Sequence, residues 1–270
     1  MMSPRKIFTV AALCALVLSG NAWAQDSTFT PTVGQAGKDV IWVPTSQALV
    51  DRMLDMAELT PKDYLVDLGS GDGRTVITAA KRGATARGVE FNPDMVALSR
   101  REAEKEGVTD RAKFDQADIF ESDFSNATVV TLFLLPDLNI RLRPTLLDMK
   151  PGTRVVSNSF NMDDWQPDET AQVSEGCSDF CTAYKWVVPA KVAGTWKMAD
   201  GELAFTQTYQ MLLGTLRKGG KAQPIVDARL DGAKIRFSVG KDVYTGAVDG
   251  KEMRGAINGK NAWSATLIGG

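Results

Sequence analysis

Three acids and a glycine turn carry the chemistry that is legible in this chain. In Tyr64-Leu-Val-Asp67-Leu-Gly69-Ser70-Gly71-Asp-Gly73 an apolar run ends in an acid, and glycines then alternate through a turn. Thr75-Val-Ile-Thr-Ala-Ala80 continues with helical character. Strand, turn and helix in that order bring backbone N–H groups and a helix N-terminus against a ligand. A dinucleotide site needs G-x-G-x-x-G, but the position that would complete it from Gly69 is Arg74. A second apolar segment, Ala86-Arg-Gly88-Val89, ends in Glu90 with Phe91 beyond it. An acid there suits the paired ribose hydroxyls of an adenosine-containing ligand. A third segment, Ala112-Lys-Phe114-Asp-Gln-Ala117, ends in Asp118-Ile119. Taken singly, each acid reads as a solvated strand end; at the ends of successive strands they read as a site.

The elements around these acids alternate. Ser46 is placed to cap a helix over 48–59. Strand 65–68, helix 74–82, strand 86–90, helix 93–106 and strands 112–116 and 127–134 follow. Helix 137–148, strand 153–159 and a hairpin of 169–173 with 182–188 complete the series. Such alternation predicts an α/β fold, a mostly parallel sheet covered by helices on both faces, with ligands outside the carboxyl ends of the strands. After Pro189 the pattern changes to short alternating runs split by Asp200-Gly201, Asp231-Gly232, Asp249-Gly250 and Asn258-Gly259. These are hairpin signals, and they predict a small antiparallel β-domain, an open barrel or curled sheet of about seven or eight strands. Its aromatics, Trp196, Phe205, Tyr209, Phe237, Tyr244 and Trp263, read as core.

Composition removes several classes of function. The 270 residues hold 31 Lys and Arg against 33 Asp and Glu, which leaves no electrostatic footprint for a nucleic acid partner. No histidine is present. A Ser-His-Asp hydrolase, a His-ligated metal and a histidine base are thereby excluded, and no metal site is expected.

With Asp67-x-Gly69-x-Gly71-x-Gly73, Glu90 and Asp118 in place, the segment resembles class I S-adenosylmethionine (SAM) methyltransferases. Further matches sharpen the resemblance: Val43-Pro44-Thr45, Gly88-Val-Glu90-Phe-Asn92-Pro93, Phe133-Leu134-Leu135-Pro136, Lys150-Pro-Gly152, Val155-Val-Ser157 and Asp164-Trp165-x-Pro167. Together they are similar to the protein-lysine methyltransferases acting on the c-ring protein of ATP synthase and the adenine nucleotide carrier, with their bacterial relatives. The resemblance spans about residues 40–188. It implies a seven-stranded Rossmann-like sheet with one antiparallel strand, SAM as cofactor, and a protein lysine or similar amine as acceptor. By the resemblance, Asp67, Gly69, Ser70, Gly71, Gly73, Glu90, Phe91, Asp118 and Ile119 hold the cofactor. The glycines admit its amino-acid end, where a side chain would clash; Asp118 faces the adenine amino group and Ile119 packs on the ring. Candidates on the acceptor side are Thr45, Asn92, Leu134, Leu135, Pro136, Ser157 and Asn158. A small-molecule methyltransferase, and an exported binding protein that keeps the fold without turnover, are the competing readings. Asn158 stands where relatives often carry histidine or arginine.

The first 24 residues read as a secretory signal: Arg5-Lys6, an apolar core from Ile7 to Leu18, then Ala22-Trp23-Ala24 as cleavage site. The domains expected are the signal 1–24, a flexible leader 25–39, the methyltransferase domain 40–189 and the β-domain 190–270. Periplasmic or secreted location follows, with no membrane span after cleavage; an uncleaved N-terminal anchor is the alternative. Cleavage discards Cys14 and leaves Cys177 and Cys181. In an oxidising compartment an even, closely spaced pair reads as a disulfide, here a staple at a hairpin tip. Protein recovered from the periplasm of an expressing cell is expected to begin near Gln25 and to react with thiol reagents only after reduction. Intact-mass measurement decides it, and an uncleaved chain with two free thiols is the contrary result.

Overall fold

A computed structural model describes residues 29–269, so the expected signal peptide and the start of the leader lie outside the described residues. Helix α1 (Gln47–Met56) opens the sheet domain, with the Ser46 hydroxyl accepting from the Leu49 N–H at its N-terminus. There follow β1 (Tyr64–Leu68), α2 (Arg74–Lys81), β2 (Thr85–Glu90), α3 (Pro93–Lys105), β3 (Ala112–Gln116) and β4 (Val129–Leu132). Then come α4 (Pro136–Leu147), β5 (Arg154–Asn158), β6 (Glu169–Gln172) and β7 (Thr182–Val187). The strands form one seven-stranded sheet in the order β3-β2-β1-β4-β5-β7-β6, and β7 runs antiparallel to both its neighbours. This is the expected class I methyltransferase arrangement.

Alternate side chains of the same strands face opposite cores. Leu65, Val129 and Val156 pack with α1, α2 and α3, whereas Val66, Val130 and Val155 pack with α4 and the indoles of Trp165 and Trp186. Both faces being covered explains the near-continuous apolar runs of β1 and β4. The strand order reverses between β1 and β4, which opens a crevice at their carboxyl ends. Strand β4 is shorter than the 127–134 run suggests. Phe133, Leu134 and Leu135 leave the ladder after Leu132, and their side chains line that crevice instead.

The second half is a closed barrel of eight strands, running from β8 (Gly194–Met198) to β15 (Asn261–Gly269). Between them lie β9 (Gly201–Thr208), β10 (Met211–Lys218), β11 (Lys221–Asp231), β12 (Lys234–Val239), β13 (Asp242–Asp249) and β14 (Glu252–Ile257). Closure removes the free edges that an open sheet would expose. Trp196, Phe205, Phe237, Tyr244 and Trp263 fill the interior, Phe237 stacking on Tyr244 at 4.7 Å between centroids. Tyr209 departs from the expected core role. It lies between the domains, its ring stacked on Trp165 at 5.9 Å and its hydroxyl donating to Asp164.

Gln210 ties the barrel to the sheet domain. Its Oε1 accepts from the Trp165 indole N–H at 3.0 Å, and its amide donates to the Gln166 carbonyl and to Asp168. Trp165 is fully buried, so no water can replace the lost acceptor. Gln210→Ala is therefore expected to lower unfolding free energy by about 1–3 kcal/mol, read from urea denaturation. An unchanged midpoint would mean that the Gln210 hydrogen bonds add nothing to stability.

Candidate active site

The carboxyl ends of β1, β2, β3 and β4 surround a cavity of about 620 Å³, within the usual range for cofactor sites. Its floor is the turn after β1. Gly69 and Gly71 both take positive φ, +81° and +53°. A Cβ on Gly71 would come within 2.8 Å of the Trp42 indole nitrogen, so only glycine fits between that ring and the cavity. Gly73 also has positive φ but does not line the cavity. A Cβ there would strike Phe114 and Ser99, so this glycine serves packing of α2 rather than ligand approach.

The Glu90 carboxylate joins the turn to the next strand. One oxygen accepts from the Gly71 N–H at 3.0 Å, the other from the Asn92 N–H at 2.9 Å. Held in this way, the carboxylate lines the cavity. Asp118, at the end of β3, accepts from the Phe120 N–H at 2.9 Å and pairs with Lys38. That Lys38 contact and the Phe120 amide hold the Asp118 carboxyl below its ordinary range. Asp67 is different. Burial, with the charges of Asp72 and Glu90 adding to it, pushes its carboxyl up to about 7, against the hydrogen bond it accepts from Thr131 at 2.6 Å. The Ser70 hydroxyl, also at the cavity wall, is buried and has no hydrogen-bond partner among the described residues.

The expected site residues divide. Asp67, Gly69, Ser70, Gly71, Glu90, Phe91, Asp118 and Ile119 line one cavity, together with Thr45, Asn92, Leu134 and Leu135. Asn92 sits beside Glu90 at the end of β2, lines the cavity, and caps α3 with its side chain by accepting from the Asp94 N–H. Pro136 starts α4 and lies outside the lining, where its fixed φ suits the first helical turn. Ser157 and Asn158 are fully buried beneath the cavity. Asn158 acts at one remove, donating to the Thr45 hydroxyl at 3.1 Å.

The described part of the expected leader makes backbone hydrogen bonds of its own. Residues 34–42 fold back as a turn, with Gly34 N–H donating to Trp42 O and Trp42 N–H to Gln35 O. A bridge joins Ala36 to Ile41. This strap crosses the cavity. Gln35 reaches Met95, Lys38 pairs with Asp118 above the Phe91 ring, and Trp42 lies against Gly71. Sequence reasoning missed it; the signal available was the Gly34-x-x-Gly37 turn leading into the apolar Val40-Ile-Trp42-Val43 run. The cysteine pair is bonded, Cys177 to Cys181, in the turn between β6 and β7. Among the described residues no cluster of acids and cysteines suits a metal.

Sheet order, glycine turn and successive acids together define a class I SAM-dependent methyltransferase. Residues 67–169 match the ANTKMT methyltransferase domain. A protein-lysine N-methyltransferase of Saccharolobus islandicus (strain REY15A) is 44% identical over 152 residues, 55% of this chain and 94% of that protein. The adenine nucleotide translocase lysine N-methyltransferase of Mus musculus is 34% identical over 139 residues, 51% of this chain and 59% of that protein. A crystal structure from Salinibacter ruber, described as an RNA methyltransferase in complex with S-adenosylhomocysteine, is 47% identical with a TM-score of 0.52. It matches 56% of this chain and 96% of that one. The chain belongs to this family of SAM-dependent protein-lysine methyltransferases, and SAM is its cofactor.

The residues present fit that cofactor. Gly69 and Gly71 present bare backbone to the cavity, and carboxylates line it where a cationic, hydroxyl-bearing ligand needs acceptors. Because SAM is cationic, it favours ionised Asp67. Affinity for SAM is therefore expected to rise as pH passes upward through about 7, and Asp67→Asn to flatten that rise. Calorimetric titration on both sides of that pH checks it; identical pH profiles for the two proteins would contradict the role given to the Asp67 charge.

Proposed function

We propose that this protein transfers the methyl group of SAM to the side-chain amine of a protein lysine. The observation that carries the acceptor class is the charge of the cavity wall. Asp39, Asp67, Asp72, Glu90 and Asp118 line it against Lys38 and Arg74, both of which are already paired with acids. Such a wall attracts a cationic amine and repels a phosphate backbone. It favours the activity named for the Saccharolobus relative over the one named for the Salinibacter structure.

In this reading Glu90 holds the ribose hydroxyls with its two oriented oxygens. Asp118 and Ile119 hold the adenine, and Gly69 to Gly71 admit the amino-acid end. Bound SAM supplies a methyl group on a sulfonium, a leaving group activated by its own charge. The chain therefore needs to orient and to exclude water rather than to supply a strong base. Leu134, Leu135 and Thr45 border the route by which an acceptor reaches the methyl group, and Asn158 fixes the Thr45 hydroxyl from below. The strap covers the adenine side, where Lys38 must yield Asp118 to the ring amine.

Export to an oxidising compartment is part of the proposal. The charged, apolar and A-x-A segments of residues 1–24 support it, as does the Cys177–Cys181 bond.

Incubation with methyl-labelled SAM and either a mixed periplasmic protein extract or total RNA tests the acceptor. Label is expected in protein, recovered as methyllysine after acid hydrolysis, and absent from RNA. Glu90→Ala should remove it, since losing each charge-assisted hydrogen bond costs about 1.5–3 kcal/mol. Label in RNA alone would overturn the lysine reading.

A further inference from the structure

The far end of the cavity from Asp118 is aromatic. Phe133 follows β4, Phe160 follows β5, and Phe180 stands in the β6–β7 turn. Their rings meet, Phe133 and Phe180 at 5.4 Å between centroids, Phe160 and Phe180 at 6.0 Å, Phe133 and Phe160 at 6.2 Å. All three line the cavity. This is not a sheet core: Phe180 is 42% exposed, and the other two are only half-buried. An apolar cluster left open at a cavity mouth gains little from burial, so its position calls for an occupant.

The backbone aims these rings at a cost. Phe180 has φ of +55°, and Ser159, just before Phe160, has φ of +56°. A bulky residue rarely takes that conformation unless its surroundings enforce it. Here Ser159 N–H donates to Thr182 O at 2.7 Å, Val173 N–H donates to Cys181 O at 2.9 Å, and the Cys177–Cys181 bond closes the turn around Phe180. The turn after β5 and the disulfide-closed turn thus share a ladder that places both rings at the mouth.

The chemistry of an occupant follows. A ring face packs methylenes and attracts a cation, which matches an alkylammonium side chain along its whole length. Among the described residues, the lysine and arginine of the lining, Lys38 and Arg74, are engaged elsewhere by Asp118 and Asp72. No described lining cation is left over at this end to repel an ammonium. We propose that the Phe133–Phe160–Phe180 face is the acceptor subsite: the lysine side chain docks there as an alkylammonium and gives one proton to solvent, and the neutral amine then attacks the methyl carbon as its bond to sulfur breaks. The Cys177–Cys181 disulfide is a positioning element that holds Phe180 on it. This rests on the protein-lysine reading above.

The test uses oxidised protein saturated with S-adenosylhomocysteine and labelled with 4-fluorophenylalanine, the three resonances being assigned from single Phe→Leu variants. The probe is Nα-acetyl-lysine methylamide, and the control its norleucine analogue, which has no charge. The lysine probe is expected to shift all three resonances and to bind at least about threefold more tightly than norleucine. Phe180→Ala, and separately reduction of the disulfide, should weaken the probe by a similar factor while leaving affinity for S-adenosylhomocysteine unchanged. Equal binding of both probes overturns the cation's part. Resonances that do not move while the protein still methylates protein lysines overturn this subsite alone. If they do not move and no methyllysine forms, the lysine reading beneath it falls as well. Undiminished probe binding after reduction removes the disulfide from the account.

Discussion

The site depends on one carboxylate. Glu90 accepts from the Gly71 amide with one oxygen and from the Asn92 amide with the other, so it joins the turn after β1 to the start of α3. Without it, the Gly71 N–H would lack this partner, and the turn would be tied to β2 by the Gly69 and Ser70 N–H bonds to the Val89 carbonyl alone. A parallel sheet places these carboxyl ends side by side but does not fix the loops above them. Glu90 adds to the bonds that do, and it lines the cavity.

Around this centre the cavity has a direction. Carboxylates crowd its β2–β3 side, glycines form the middle, and aromatic rings close the β4–β5 side. A cofactor bearing hydroxyls and positive charge suits the first two regions, and an amine on an aliphatic stem suits the third. The strap adds a constraint of its own. Lys38 holds Asp118 in the structure as it stands, so the strap is tied to the segment after β3. Among the described residues the barrel contributes none to the cavity lining, and its contact through Gln210 and Tyr209 falls on Trp165. Arg229 adds an ion pair to Asp168, so the barrel also touches the segment that follows Trp165.

How much was legible in the sequence followed how local the chemistry was. Asp67 through Gly71, Glu90 and Asp118 were readable because each is a strand end followed by a turn, a pattern held within a few residues. Gly73 shows the limit. Its positive φ belongs to the same run, yet the atoms it avoids, on Phe114 and Ser99, are known only once α3 and β3 are packed. The strap was opaque because Lys38 finds Asp118 eighty residues away, and no periodicity announces such a partner. The aromatic face was equally hidden, being assembled from separate loops. Asn158 was noticed for the right place but the wrong reason, since its side chain steadies Thr45 instead of reaching the cavity.

The central claim is that the glycine turn and the acids of β2 and β3 hold SAM. A crystal structure of the oxidised protein with S-adenosylhomocysteine tests it most directly. The account predicts ribose hydroxyls on the Glu90 carboxylate, adenine between Asp118 and Ile119, and Lys38 moved off Asp118. Ligand bound with its ribose away from Glu90, or adenine placed against the phenylalanine rings, would contradict it.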